Sequence, residues 1–265
     1  MPELPDVEIF RQYLNATSLH QQIKKVHLYS PEMLKNSSPG IFQKKLTGCT
    51  FTGTSRHGKH LFAELSSHLQ VVLHFGMTGF LSYFKNSGHG SSHIRLLIEF
   101  TGGYCLAYHC QRKLGLVDVT ENKQEYIKNL GLGPDPLDHR FGPENFINIL
   151  KHKKCSIKSA LMNQKYIAGI GNIYADEVLF MWGIHPLSRT EKMDEQLLKE
   201  GYRSMIKVLE TAIACGANPD LFPSGYLLPF RQEGSHCPTC GGTIARMKVI
   251  GRSAYFCEKH QEKIA

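Results

Sequence analysis

IKSALMNQKYIAGIGNIYADEVLF, residues 157–180, reads as two helices joined by a glycine-containing turn. The first covers 156–163 and ends near Asn163. The second starts just after Asn172 and runs over 173–182. Gly169 and Gly171 permit close backbone approach, and the free N–H groups and dipole of a helix start attract an anion. Asn172 can cap the helix and also donate to a phosphate oxygen. The bland alternative is an ordinary capped helix hairpin. The nearby lysines, Lys153, Lys154, Lys158 and Lys165, favour nucleic acid.

Working outward, LGLGPDPLDHRFGPENF (130–146) breaks any regular element with its glycines and prolines and marks a domain boundary. Pro143 opens a helix after it, and 193–215 is helical too. Before it stand short β-like runs, HLFAEL (60–65), QVVLHF (70–75), FLSYF (80–84), IRLLIEF (94–100), YCLAYHC (104–110) and LGLVDV (114–119), which predict an antiparallel sandwich or barrel. KNSGHGSSH (85–93) reads as a surface loop. Residues 5–15 place Val7, Phe10 and Leu14 on one helical face. The expected class is α+β, divided into 1–130 (sandwich with an N-terminal helix), 131–228 (helical) and 229–265 (a β-like tail).

A chain of 265 residues, 42% apolar and 20% charged, has an ordinary globular composition. Its net charge of +8 fits a polyanionic partner or plain solubility. No run is apolar enough to span a bilayer, and the start lacks the apolar core of a signal peptide, so a soluble intracellular protein is expected. Cys49, Cys105, Cys110, Cys155 and Cys215 are scattered and fit free thiols, mostly in apolar patterns.

The tail SHCPTCGGTIARMKVIGRSAYFCEKHQ holds Cys237-x2-Cys240, sixteen residues, then Cys257-x2-His260. Each two-residue gap lets one turn aim two ligands at one ion, and the runs between them form a hairpin. Three cysteines and a histidine make a closed structural zinc site, with His236 nearby as another histidine. Gly251 allows a sharp turn, and Arg252 beside it is a surface cation or a phosphate contact.

The chain opens MPELPDVEIF. Pro2 is structurally cheap before a helix. With Met1 removed, however, Pro2 becomes a secondary amine beside the carboxylate of Glu3. An α-amino group titrates at about 7.7–8.0, so a useful fraction is unprotonated and nucleophilic at neutral pH.

Together, MPELPDVE, SRHGKHL, LHFGMTGF, IKSALMNQ…GIGNIYADE and the zinc tail resemble the formamidopyrimidine-DNA glycosylase/endonuclease VIII family, from Pro2 to Gln261 and in order. The resemblance implies a β-sandwich with a catalytic helix, a helix–two-turn–helix domain, a zinc hairpin, and double-stranded DNA with oxidised bases or abasic sites as partner, bound by a monomer in the cleft between domains. Pro2 becomes the nucleophile at C1′, and Glu3 the acid/base. Lys59 becomes a phosphate contact and proton donor in elimination. His74, Lys158, Asn172 and Arg252 bracket phosphates, Met77 fills the gap left by the everted base, and Arg112 faces the orphaned one. Asp6 stands where the family usually has a second glutamate and receives no role.

The match departs from the family at Leu114, which replaces an aromatic wedge, and at Gly216–Gly225, where the loop covering an everted purine is shortened; both bear on lesion preference. His260 stands for a fourth cysteine. The expected function is a bifunctional DNA glycosylase and abasic-site lyase. The alternatives are a non-catalytic reader of damaged DNA on the same scaffold, or a generic zinc-containing nucleic-acid-binding protein. Structural zinc is the one cofactor implied.

Overall fold

The computed structural model describes residues 1–85 and 93–265, so most of the loop expected at 85–93 lies outside the described residues. The chain forms two compact units. One comprises Met1–Pro2 and Asp6–Gly131, the other Glu3–Pro5 and Leu132–Ala265. Among the described residues no helix is long and apolar enough to cross a membrane.

Helix α1 (Leu4–Ser18) starts one residue before Pro5, the second proline of the opening motif. In the first unit it buries Val7 and Leu14, and Phe10 tilts against Phe75 with ring centroids 4.5 Å apart. Two antiparallel four-stranded sheets follow. One runs β1 (Ile23–Leu28), β6 (Ile94–Phe100), β7 (Tyr104–Cys110), β5 (Gly79–Lys85). The other runs β2 (Phe51–His57), β3 (His60–Leu65), β4 (Gln70–His74), β8 (Leu116–Thr120). Both feed one apolar core that includes Leu61, Val71, Leu96 and Leu106. Residues in β6 alternate between buried and half-buried, as a period of two demands.

Two strands and two helices escaped the sequence pattern. In β1 (IKKVHL) a register shift between Ile23 and Lys25 breaks the alternation, and β2 (FTGTSRH) buries only its first residue. Helices α2 (Pro39–Leu46) and α3 (Lys123–Asn129) are about two turns each, too short for a clear helical period.

The second unit packs α4 (Pro143–Leu150), α5 (Ile157–Met162), α6 (Asn172–Trp182) and α7 (Glu195–Ala214) around Ile157, Leu161, Val178, Leu198 and Leu209. Pro143 opens α4 as expected. Asp194 caps α7 by accepting from Leu197 N at 2.7 Å. The tail pairs β9 (Ala245–Val249) with β10 (Arg252–Phe256). It groups with the helices rather than standing apart, because two five-residue strands cannot enclose a core of their own. Phe180 of α6 joins Leu227, Ile244, Cys237 and Cys257 beneath it.

Candidate active site and zinc centre

The turn between α5 and α6 is built for Glu3. Its fully buried carboxylate accepts from Gly171 N at 2.7 Å, Ile173 N at 2.9 Å and Tyr174 N at 3.2 Å, all at the start of α6. Leu4 N donates to Gly169 O at 3.0 Å. A Cβ on Gly171 would lie 2.4 Å from Glu3 Cδ. One on Gly169, where φ is +107°, would lie 2.7 Å from Leu4 Cδ1. Both glycines therefore do admit a close approach, but by the chain's own first residues. The helix N-terminus attracts an anion, and that anion is a side chain rather than a phosphate.

This corrects the expectation for Asn172. Gly171 is the N-cap, Asn172 is the first helical residue, and Glu3 takes the N–H groups a cap would satisfy. Among the described residues, Asn172 Oδ1 is buried without a hydrogen-bond partner. A G-x-G ahead of a helix carried the signal for close approach. The approaching residue lies 168 positions away from Gly171, beyond the reach of any local pattern.

Pro2 is half-buried immediately before Glu3. Lys59 occupies the turn between β2 and β3, next to Gly58, with His57 and His60 as the flanking pair. Arg56 braces this turn: its Nη1 donates to Gly58 O at 3.1 Å and its Nε to Glu8 Oε2 at 3.3 Å. Glu8 also binds Arg11 at 2.6 Å, and its guanidinium partners hold the carboxyl low although burial opposes them. Arg56 and Glu8 are the supporting residues that sequence reading missed.

His74 faces His60 across β3 and β4, with ring centroids 4.8 Å apart. Burial pushes His74 down to about 4, helped by the positive charge of Lys59. Burial again, then His74, His57 and Lys59, pushes His60 to about 3. Gly76 N donates to His74 Nδ1 at 3.3 Å, which leaves the neutral ring's proton on Nε2 as a donor. Nε2–H is therefore the group His74 can offer a phosphate.

Met77 stands in the turn between β4 and β5 and is 40% exposed, despite the usual preference of methionine for the core. Arg112 is exposed, and its backbone N donates to Thr78 Oγ1 at 3.3 Å, joining the two segments. Leu114 is 54% exposed. These three sit on turns of the first unit.

Lys158, expected at a phosphate, lies in the interior. Its side chain is fully buried, its Nζ lies 2.6 Å from Asp176 Oδ1, and it donates to Ser253 O at 2.9 Å. Its ammonium is therefore held beneath the surface. Burial lowers its pKa against the attraction of Asp176. Arg252 is exposed beside the Ile250–Gly251 turn, where φ is 48° and 72°.

Sγ atoms of Cys237, Cys240 and Cys257 lie within 4.8 Å of one another, and Cys240 and Cys257 are 3.6 Å apart. Tetrahedral bonds of about 2.3 Å to a shared zinc place sulfurs about 3.8 Å apart, so the thiols fit that ion. His260 is outside this set. Its Nε2 lies 3.0 Å from Phe180 O, and its ring tilts against Phe180.

Gly216–Gly225 folds back on its own unit: Cys215 Sγ donates to Leu221 O, and Phe222 packs edge-on against Tyr226.

Three family models match in succession. They are the formamidopyrimidine-DNA glycosylase N-terminal domain over residues 1–117, the formamidopyrimidine-DNA glycosylase H2TH domain over 132–220, and the zinc finger found in FPG and IleRS over 234–259. The formamidopyrimidine-DNA glycosylase of Ligilactobacillus salivarius is 35% identical, covering 98% of this chain and 99% of its own. That of Acaryochloris marina is 34% identical with the same coverage. Among solved structures, Lactococcus lactis Fpg with a FAPY-dG containing DNA superposes with a TM-score of 0.90 at 31% identity, covering 98% of this chain and 100% of its own. MutM in complex with carbocyclic 8-oxo-G containing DNA gives 0.90 at 30%, covering 99% and 100%. Glycine-seated Glu3, the turn-borne Lys59 and the thiol cluster thus occur in a chain that matches these proteins from end to end, and the chain belongs to the formamidopyrimidine-DNA glycosylase family.

Proposed function

We propose that this chain excises oxidised bases from double-stranded DNA and cleaves the resulting abasic strand, with Pro2 as nucleophile. The observation that carries the reading is the seat of Glu3, a buried carboxylate fixed by three backbone N–H groups directly after Pro2 in sequence. With Met1 removed, the Pro2 amine attacks C1′ and loses its proton, and the base leaves with its bonding electrons and takes up a proton. The nitrogen lone pair then breaks the C1′–O4′ bond, O4′ is protonated, and the resulting iminium joins protein to the opened sugar. That cation acidifies C2′. Loss of a C2′ proton expels the 3′ phosphate (β-elimination), and a second elimination expels the 5′ phosphate. Glu3 relays protons at the sugar or amine, and Lys59 supplies one during elimination.

Membership of the family and the likeness to relatives solved with abasic-site and lesion-containing DNA support this reading. His74, Asn172 and Arg252 are assigned to phosphates, Met77 to the vacated stack and Arg112 to the orphaned base. Lys158, also assigned to a phosphate from sequence, acts through the hairpin as described below. Cys237, Cys240 and Cys257 hold zinc, which closes the tail. His260 is the fourth ligand through Nδ1, since its Nε2–H donates to the Phe180 carbonyl. The reaction belongs in a DNA-containing compartment.

Borohydride trapping on a duplex with an abasic site tests the proposal. Protein lacking Met1 should become covalently linked to DNA, and Pro2→Gly or retained Met1 should weaken or abolish the adduct. A correctly trimmed chain, its N-terminus checked by mass spectrometry, that neither crosslinks nor nicks would overturn it. Duplexes carrying 8-oxoguanine, formamidopyrimidine, thymine glycol, dihydrouracil or hydantoins rank the lesions.

A further inference from the structure

We propose that the buried pair Lys158–Asp176, braced by Arg231, positions the zinc hairpin so that Arg252 reaches its phosphate; this rests on the phosphate reading of Arg252 given above. In β10, Arg252 pairs with Val249, Ser253 with Lys248 and Tyr255 with Arg246. Hydrogen-bonded pairs alternate along an antiparallel ladder, so a two-stranded hairpin directs every second residue's N–H and C=O to an edge that no strand covers. On β10 that edge meets the ion pair. Lys158 Nζ donates to Ser253 O at 2.9 Å, and Asp176 Oδ2 accepts from Tyr255 N at 3.3 Å. One cation and one anion, themselves 2.6 Å apart, thereby satisfy an acceptor and a donor in the places a third strand would use.

Arg231 completes the clamp. Its Nε and Nη2 donate to Asp176 Oδ2 at 3.0 and 2.7 Å, and its guanidinium lies over the Tyr255 ring, 4.6 Å from the centroid. The clamp thus grips β10 at the residue next to Arg252 and again two residues further on. Lys158 and Arg231 are positioning residues. Their charge is consumed internally, and they act on DNA through the placement of Arg252.

A double-mutant cycle in the full-length, zinc-loaded chain tests this, using a duplex with a tetrahydrofuran abasic analogue. Arg252→Ala should lower the slope of log binding constant against log salt by about 0.9, the loss of one phosphate contact. Arg231→Gln should lower it by a similar amount while zinc content stays at one ion per chain. The double variant should lose no more than either single one. Additive losses, or an unchanged slope in Arg231→Gln, overturn the positioning role. A silent Arg252→Ala overturns the phosphate reading instead and takes the positioning role with it. If Arg231→Gln does not fold, Tyr255→Leu, which removes the ring beneath the guanidinium, enters the same cycle.

Discussion

His60 and His74 in the N-terminal unit are half-buried and Lys158 and Asp176 in the C-terminal unit fully buried, and the two pairs meet the cost by different means. The histidines shed their charge: burial drives them to about 3 and about 4. The C-terminal groups are instead bonded. Glu3 takes three backbone N–H groups, Lys158 and Asp176 take each other, and Glu177 accepts from Leu227 N at 2.9 Å and Leu228 N at 2.6 Å. Of the residues assigned to DNA in the sheet unit, Met77 and Arg112 stand on turns and His74 ends β4, whereas several charges in the helical unit fasten loops to helices. A lysine near a DNA-binding motif therefore means different things in the two units.

The largest test of this contrast concerns Glu3, which is fastened by backbone N–H groups and proposed as the acid/base. Glu3→Gln turns an amide donor toward backbone donors and should slow single-turnover strand cleavage by about 10²–10⁴-fold. Gly171→Ala should slow it comparably without altering any reacting group, because its Cβ occupies the place of Glu3 Cδ. Normal rates in Gly171→Ala would make the seat irrelevant to chemistry.

Next, Lys158→Met leaves Asp176 short of one partner in the interior. It should cost the C-terminal unit about 3–5 kcal/mol in urea unfolding. Trp182, the sole tryptophan, reports that unit by fluorescence.

The two units should also answer pH with opposite slopes. The folded pKa of each histidine is depressed, so stability is full above the unfolded value near 6.5. It is lost as pH falls toward about 4 for His74 and about 3 for His60. For His74 the loss amounts to about 3 kcal/mol. Burial raises Glu177 to about 7, above its unfolded value near 4.5, so the C-terminal unit should lose stability as pH rises between those values. Unfolding at pH 5 and pH 7.5, read by circular dichroism for the sheets and by Trp182 fluorescence, separates the slopes. His60→Phe should flatten the first.

The smallest effect expected on stability is that of Met77→Ala, within about 0.5 kcal/mol, since the side chain is already 40% exposed. Its affinity for a duplex with a tetrahydrofuran site should nonetheless fall about tenfold, as an apolar plug is lost. A large loss of stability would return Met77 to the core.

Much of this was legible in the residues. Short β-like runs between turn residues exposed β3 to β8, helical spacing exposed α1, Pro143 exposed α4, the glycine turn exposed α5 and α6, and the cysteine spacing exposed the metal centre. The opening motif and GIGNIYADE were each recognised. What joins them was not, since Glu3 meets Gly171 through backbone N–H groups that every residue but proline carries. The burial of Lys158 was hidden for a related reason: its counter-charge, Asp176, is one more acidic residue on a helix until burial singles it out. Bulged β1 hid because a single inserted residue destroys a period of two.

The span between Glu3 and its seat has a consequence during protein synthesis. A ribosome emits Pro2 and Glu3 among the first residues but must polymerise beyond Tyr174 before the backbone donors exist. At roughly 5–20 residues per second that delay is on the order of 10–30 s. Over that interval Met1 can be trimmed before the Glu3 carboxylate is seated.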